Sequence, residues 1–323
     1  MKTNEKMTSS RRSLLKGVVA AGGVAMAATV GRSAVAAAPK AGAVISAAAR
    51  RGLSKAIKGT VLWKGEAAYE GARGGAVYRA NKPNRFPAVI VVADSDKDVV
   101  TAVRFARDHG LKVGRRSGGH AWSAAHIRTG SMLIDLSRMQ NLEVDAKART
   151  IWVNPGVLGS RINAELTPLG LIIPTAHHPT AGIGGFAMCG GFGWNSRLWG
   201  NGSAHILAVD LVNAEGELIR ADETQNTDYL WAARGAGSGY FGVVTRMKMR
   251  VNVLPPVMKL SAYGYTADVL EELFTWAREI VPKIPPYLEL VIISTAHDAK
   301  TGLPSPVRFT VAALAICETH AMA

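Results

Sequence analysis

The sequence predicts an α+β chain: a leader, one large domain of short strands and helices, and the opening of a second domain. Three observations carry this. A strand, helix, strand unit opens at Pro87, short β-branched runs alternate with turn residues up to Val251, and the texture changes after Pro255-Pro256. With 48% hydrophobic residues among 323, the chain has ample apolar material for buried cores.

The leader comes first. Ser10-Arg11-Arg12-Ser13-Leu14-Leu15-Lys16 precedes an apolar run from Gly17 to Val30 and then small residues, Ala34-Val35-Ala36-Ala37-Ala38. Charged, apolar, then small is the layout of an export signal with paired arginines, similar to the twin-arginine type. Residues 1–38 are therefore expected to be a signal peptide, handed to the twin-arginine export machinery and delivering a periplasmic or extracellular protein. The apolar run is too short for a stable membrane span. Residues 39–52 read as a linker.

The large domain is expected over 53–254. Ala88 to Ala93 is a β-branched strand. Ser95 with Asp98 three residues on marks a helix start, and Val99, Val103 and Ala106 recur at helical spacing. Gly110 after His109 stops that helix, and Lys112-Val113-Gly114 begins the next strand. Met132 to Leu136 is a further strand. Hairpins follow from Leu142 to Asn154 and from Ile206 to Ala221, with a helix from Leu158 to Leu169, stopped by Gly170, between them. After Pro255-Pro256 a strand (Met258 to Tyr265), a helix (Ala267 to Ile280) and two strands (Leu288 to Ser294, Val307 to Ile316) open a substrate domain over 255–323. No elements follow to cover its sheet, so this domain is expected to be incomplete and the chain to be truncated.

Composition excludes several classes of function. Of the net charge of +14, +6 lies in residues 1–40, where seven basic side chains meet only Glu5. The remainder forms no basic stripe, so nucleic-acid binding is not expected. Cys189 and Cys317 are too few for a disulfide framework, and no metal-ligand spacing occurs.

Glycine carries the strongest site signal. Arg116-Ser117-Gly118-Gly119-His120 lies just beyond a strand, where glycines free backbone N–H groups for an anion but also make ordinary turns. Six glycines then fall within the twelve positions 182–193, and Gly235-Ala236-Gly237-Ser238-Gly239 runs into Phe241-Gly242-Val243-Val244. A Rossmann fingerprint would instead follow the first strand directly.

These segments, with Ile134-Asp135-Leu136-Ser137, Asn154-Pro155-Gly156 and Leu230-Trp231-Ala232-Ala233-Arg234-Gly235, make the chain resemble the vanillyl-alcohol oxidase and p-cresol methylhydroxylase superfamily, in its berberine-bridge-enzyme-like branch. The resemblance runs from about Leu53 to Val251. It implies a two-subdomain FAD-binding domain of the p-cresol-methylhydroxylase type, followed by a truncated α+β substrate domain. It also implies an FAD-dependent oxidoreductase that takes a hydride from an alcohol, sugar or amine at flavin N5, with O2 as electron acceptor.

The same resemblance assigns cofactor contacts to Arg116, Ser117, Gly118, Gly119, His120, Thr180, Gly182, Gly184, Gly185, Gly242 and Val243. His120 would bond through its ring to the flavin 8α carbon; the alternative is a loop histidine merely hydrogen-bonded to phosphate or backbone. Relatives that attach the flavin twice use a cysteine where this chain has His178, so a single attachment is expected, as in the 6-hydroxy-nicotine-oxidase-like members. Cys189 is expected to be a small packed residue. His177 and His178 are candidates for moving protons or orienting substrate, or are polar wall residues beside the cofactor. Ala181 stands where the family lines the path of dioxygen, and its small side chain leaves that path open. Tyr240 replaces a common asparagine. No catalytic base is assigned, and a non-catalytic flavin-binding remnant remains the alternative.

Overall fold

The computed structural model describes residues 44–194, 196–297 and 304–323; the leader expected over 1–38 lies outside the described residues. The fold begins earlier than the sequence suggests. Helix α1 (Ala47–Ala56) occupies much of the stretch read as linker, with the Ser46 hydroxyl accepting from Ala49 N at 3.1 Å. It is anchored by Leu53, with Ile57 just beyond, in a cluster with Trp63, Val89 and Val91. So few apolar anchors in an Ala/Arg/Lys-rich segment give little periodic signal.

Strand β1 (Thr60–Trp63), helix α2 (Tyr69–Gly75), strand β2 (Val89–Val92), helix α3 (Asp96–Asp108) and strands β3 (Val113–Arg116) and β4 (Met132–Asp135) follow. They form a four-stranded sheet in the order β1-β2-β4-β3, with β4 parallel to both β2 and β3. Ser95 caps α3 as its spacing implies, and Gly110 ends it at φ 66°. Val99, Ala102, Val103 and Ala106 pack on the sheet.

A second sheet is antiparallel throughout. Strands β5 (Leu142–Asp145) and β6 (Thr150–Val153) make the first expected hairpin, and helix α4 (Gly159–Leu166) closes with a 3-10 turn at Gly170. Strand β7 (Leu171–Ile172), helix α5 (Ile183–Met188) and helix α6 (Ser196–Trp199) lead to the second hairpin, β8 (Ile206–Val212) and β9 (Leu218–Ala221). After helix α7 (Thr227–Ala233), strand β10 (Val243–Arg250) enters the middle of the sheet, giving the order β5-β6-β10-β8-β9. Strand β11 (Asn252–Val253) pairs with β7.

The third sheet, β12-β14-β13, is built from β12 (Val257–Thr266), β13 (Leu288–His297) and β14 (Pro304–Cys317). Helix α8 (Leu270–Ile280) sets Leu273 against Phe309 and Val311. Beyond Val257, β12 is largely exposed, with Leu260 at 62% and Tyr263 at 64% of full exposure. No helix among the described residues is long and apolar enough to cross a membrane.

Candidate functional site

The end of β3 delivers the chain into a cavity of about 360 Å³ lined by the 114–121 segment, by residues around 181–189 and by Gly237 and Ser238. The loop is anchored at its base. Arg116 and Asp135 are register partners on β3 and β4, and the Arg116 guanidinium donates to Asp135 Oδ2 at 2.5 Å. The other carboxylate oxygen accepts from Ser137 N at 2.9 Å.

From this base the loop climbs past Gly118 and Gly119. A Cβ on Gly118 would collide with the backbone of Gly182, and one on Gly182 with Gly118. Loops from the two sheets therefore touch backbone to backbone, and glycine is required for that contact as well as for open N–H groups. Gly119 sits at φ 75°, a conformation other residues rarely adopt. Among the described residues, the backbone N–H groups of 117–121 donate to no partner. Arg115, Arg116 and Arg128 also line the cavity. A run of free N–H groups beside guanidinium groups is an anion cradle, and it fits the diphosphate of FAD. Arg115 also donates to Gly237 O at 3.1 Å, fixing the third glycine segment to the same wall.

His120 stands at the mouth of this cradle inside a polar cluster. Its Nε2 lies 3.0 Å from Thr180 Oγ1, and Thr180 Oγ1 lies 3.0 Å from His178 Nδ1. His178 Nε2 is 2.9 Å from the Tyr78 hydroxyl, and the Tyr78 ring stacks on His120 at 4.0 Å. Burial, then His178 nearby, lowers the proton affinity of His120 and so favours the neutral ring. A neutral imidazole keeps a lone pair for bonding.

The expected residues do not all converge. Arg116, Ser117, Gly118, Gly119, His120, Gly182, Gly184, Gly185 and Ala181 line the cavity, and Thr180 reaches it through His120. Gly242 and Val243 do not. Val243 turns into the core beneath the first sheet, and by strand alternation Val244 is the one on the cavity wall. The histidine pair divides too: His178 lines the cavity, while His177 packs edge-on against Trp194 at 4.5 Å. Cys189, expected to be packed away, has its side chain open on the cavity wall. Tyr240 is buried, its hydroxyl donating to Tyr229 O at 3.2 Å.

Tyr78 was not singled out from the sequence. Its backbone N–H donates to Gly119 O at 3.0 Å, and its neighbour Ala76 accepts from His126 Nε2 at 2.9 Å. The segment from Ala76 to Tyr78 thus clamps the loop from outside. It matches no motif, and only the tertiary fold brings it there.

A free N–H loop and a cationic wall suit the diphosphate of a dinucleotide, and residues 87–222 match the family described as FAD binding domain. The chain carries this domain in the berberine-bridge-enzyme-like, p-cresol-methylhydroxylase-type fold, and the curated relatives it matches are FAD-linked oxidoreductases. It is 34% identical over 224 residues to the FAD-linked oxidoreductase nodO of Hypoxylon pulicicidum, covering 69% of this chain and 50% of that one. It is 32% identical over 185 residues to the (R)-6-hydroxynicotine oxidase of Paenarthrobacter nicotinovorans, covering 57% and 40%.

In structure it resembles 6-hydroxy-D-nicotine oxidase from Arthrobacter nicotinovorans, with a TM-score of 0.70 and 25% identity over 80% of this chain and 56% of that one. Phl p 4, a grass pollen allergen with glucose dehydrogenase activity, gives a TM-score of 0.72 and 25% identity over 83% and 55%. The chain spans about half the length of the curated relatives it matches.

Proposed function

We propose that this chain is the cofactor-holding part of an exported FAD-dependent oxidoreductase in which His120 is the single covalent anchor of FAD, through Nδ1. The observation that carries the proposal is the position of His120 at the rim of the cradle. Its Nε2 is engaged by Thr180, which leaves Nδ1 as the ring nitrogen with no partner among the described residues. The free N–H groups of 117–121 and the arginine wall would hold the diphosphate, and Gly182, Gly184 and Gly185 would let the opposite wall approach the cofactor.

Bound there, FAD would supply a hydride acceptor at N5 for an alcohol, sugar or amine. The methyl group of Ala181 on the wall leaves access for O2, which supports an oxidase. His178 is a further group beside the rim able to hold or move a proton. The paired arginines of the leader support delivery by the twin-arginine route, which carries folded, cofactor-loaded proteins; a Lys-Lys replacement of Arg11 and Arg12 is expected to leave the protein in the cytoplasm.

Acid precipitation of the purified chain tests the anchor. A yellow pellet whose colour is lost in His120→Ala supports it, and colour that washes off the wild-type pellet overturns it. A second reading, a flavin-binding chain without turnover, is favoured by the exposed side chains of β12. It predicts bound flavin that no alcohol, sugar or amine bleaches under anaerobic conditions.

A further inference from the structure

Resting on the reading of His120 as the attachment site, we propose that Thr180, His178 and Tyr78 form a hydrogen-bonded relay that presents His120 with a free Nδ1 lone pair and carries away the proton its Nε2 must lose. The distances define one unbroken line. His120 Nε2 to Thr180 Oγ1 is 3.0 Å, Thr180 Oγ1 to His178 Nδ1 is 3.0 Å, and His178 Nε2 to the Tyr78 hydroxyl is 2.9 Å.

Directionality follows from the donors. Thr180 N donates to His178 Nδ1 at 3.3 Å, so that nitrogen is an acceptor and the ring proton of His178 sits on Nε2, where it donates to Tyr78. With Nδ1 of His178 accepting, the Thr180 hydroxyl is free to donate to it and to accept from His120 Nε2–H. This orientation leaves the Nδ1 lone pair of His120 exposed. The Tyr78 ring, 4.0 Å away and within 17° of parallel, limits rotation of the imidazole. Every part lies on one rim, yet the parts come from three separate stretches of chain, at residues 78, 120 and 178–180.

The chemistry balances. Attachment forms a C–N bond from His120 Nδ1 to the 8α carbon, and it breaks one C–H bond there and one N–H bond at His120 Nε2. The electron pair of the broken C–H bond passes to the flavin's own ring, which is the oxidant and is reduced by two electrons. The two protons released equal the two that the reduced ring takes up. An imidazole bonded at Nδ1 and still protonated at Nε2 would be a cation, and the relay is its route to neutrality: Nε2 gives its proton to Thr180 while Thr180 gives its own to His178. Thr180 is the proton carrier between the two imidazoles, and Tyr78 acts as a positioning residue.

The experiment adds FAD to cofactor-free full-length protein and follows two readouts separately: total flavin bound, and flavin retained after denaturation. Thr180→Val is expected to attach the FAD it binds more slowly, by roughly tenfold or more when the rate is taken per flavin bound, the low end of what positioned proton transfer contributes. Thr180→Ser restores the rate. His178→Gly slows attachment similarly and is rescued by added imidazole, while Tyr78→Phe keeps the stack and shows a smaller loss than Tyr78→Ala. Attachment at the wild-type rate in Thr180→Val, or slowed attachment in His178→Gly that imidazole leaves unchanged, overturns the relay. If Thr180→Val is insoluble, the imidazole rescue of His178→Gly decides alone. Wild-type protein that binds FAD without ever retaining it overturns the attachment reading instead, so the two failures are distinct.

Discussion

Replacing Asp135 with alanine strikes the base of the cofactor loop. Asp135 is 5% exposed, one of its oxygens accepts from the Arg116 guanidinium, and the other accepts from Ser137 N. Arg116 Nε is buried and already lacks a partner, so removing the carboxylate strands a largely buried cation as well as a backbone donor. Breaking a buried pair in this way costs about 3–5 kcal/mol. For a chain of this size that lowers Tm by roughly 6–20 °C, at about 2–4 °C per kcal/mol.

The cause is isolated by adding Arg116→Met to Asp135→Ala. Once the charge is gone, an apolar side chain of similar length leaves only the Ser137 N–H unpaired, and most of the lost stability is expected to return. Thermal unfolding followed by circular dichroism measures all four members of the cycle. A double variant no more stable than Asp135→Ala alone refutes the claim that a stranded guanidinium is the penalty.

Gly118→Ala is expected to lose about 1–3 kcal/mol through overpacking against Gly182, and to weaken FAD binding with it. Gly185→Ala, in α5 with open space around its Cβ, is expected to stay within about 1 kcal/mol of wild type or gain stability; chemical denaturation compares the two. Burial holds the proton affinity of His126 below that of a free imidazole, against the opposing pull of the Ala76 carbonyl. The unfolded chain therefore takes up a proton near pH 6.5 that the native state refuses, and stability falls as pH drops below that value, with no contribution above it. His126→Gln is expected to flatten that part of the Tm–pH curve, and an unchanged slope counts against the assignment. Leu260→Lys combined with Tyr263→Thr on β12 is expected to change stability by only about 0.5 kcal/mol per site while reducing light scattering on concentration.

Much of the fold was legible because its signals are local. The Ser95 cap, the Gly110 and Gly170 stops and the two hairpins of the second sheet all depend on residues adjacent in sequence, and they appear where expected. Helix α1 was not legible, since its identity as part of the fold rests on Leu53 and Ile57 meeting strands that come later. The site divides in the same way. The loop 116–120 announces itself through its glycines, but the choice between Val243 and Val244 depends on which side of β10 faces the cavity, and the separation of His177 from His178 depends on Trp194. Tyr78 has no sequence signal at all, because its contacts reach residues 119, 120 and 178.

The mutual contact of Gly118 and Gly182 has a consequence for the order in which this protein is completed. One loop hangs from the four-stranded sheet and the other from the region leading into α5, beside the antiparallel one. Neither half alone can present a finished rim, so the proposed attachment at His120 would have to wait until the two have docked. Flavin held covalently by this chain would therefore be a permanent record, written once, that long-range assembly had succeeded in that molecule.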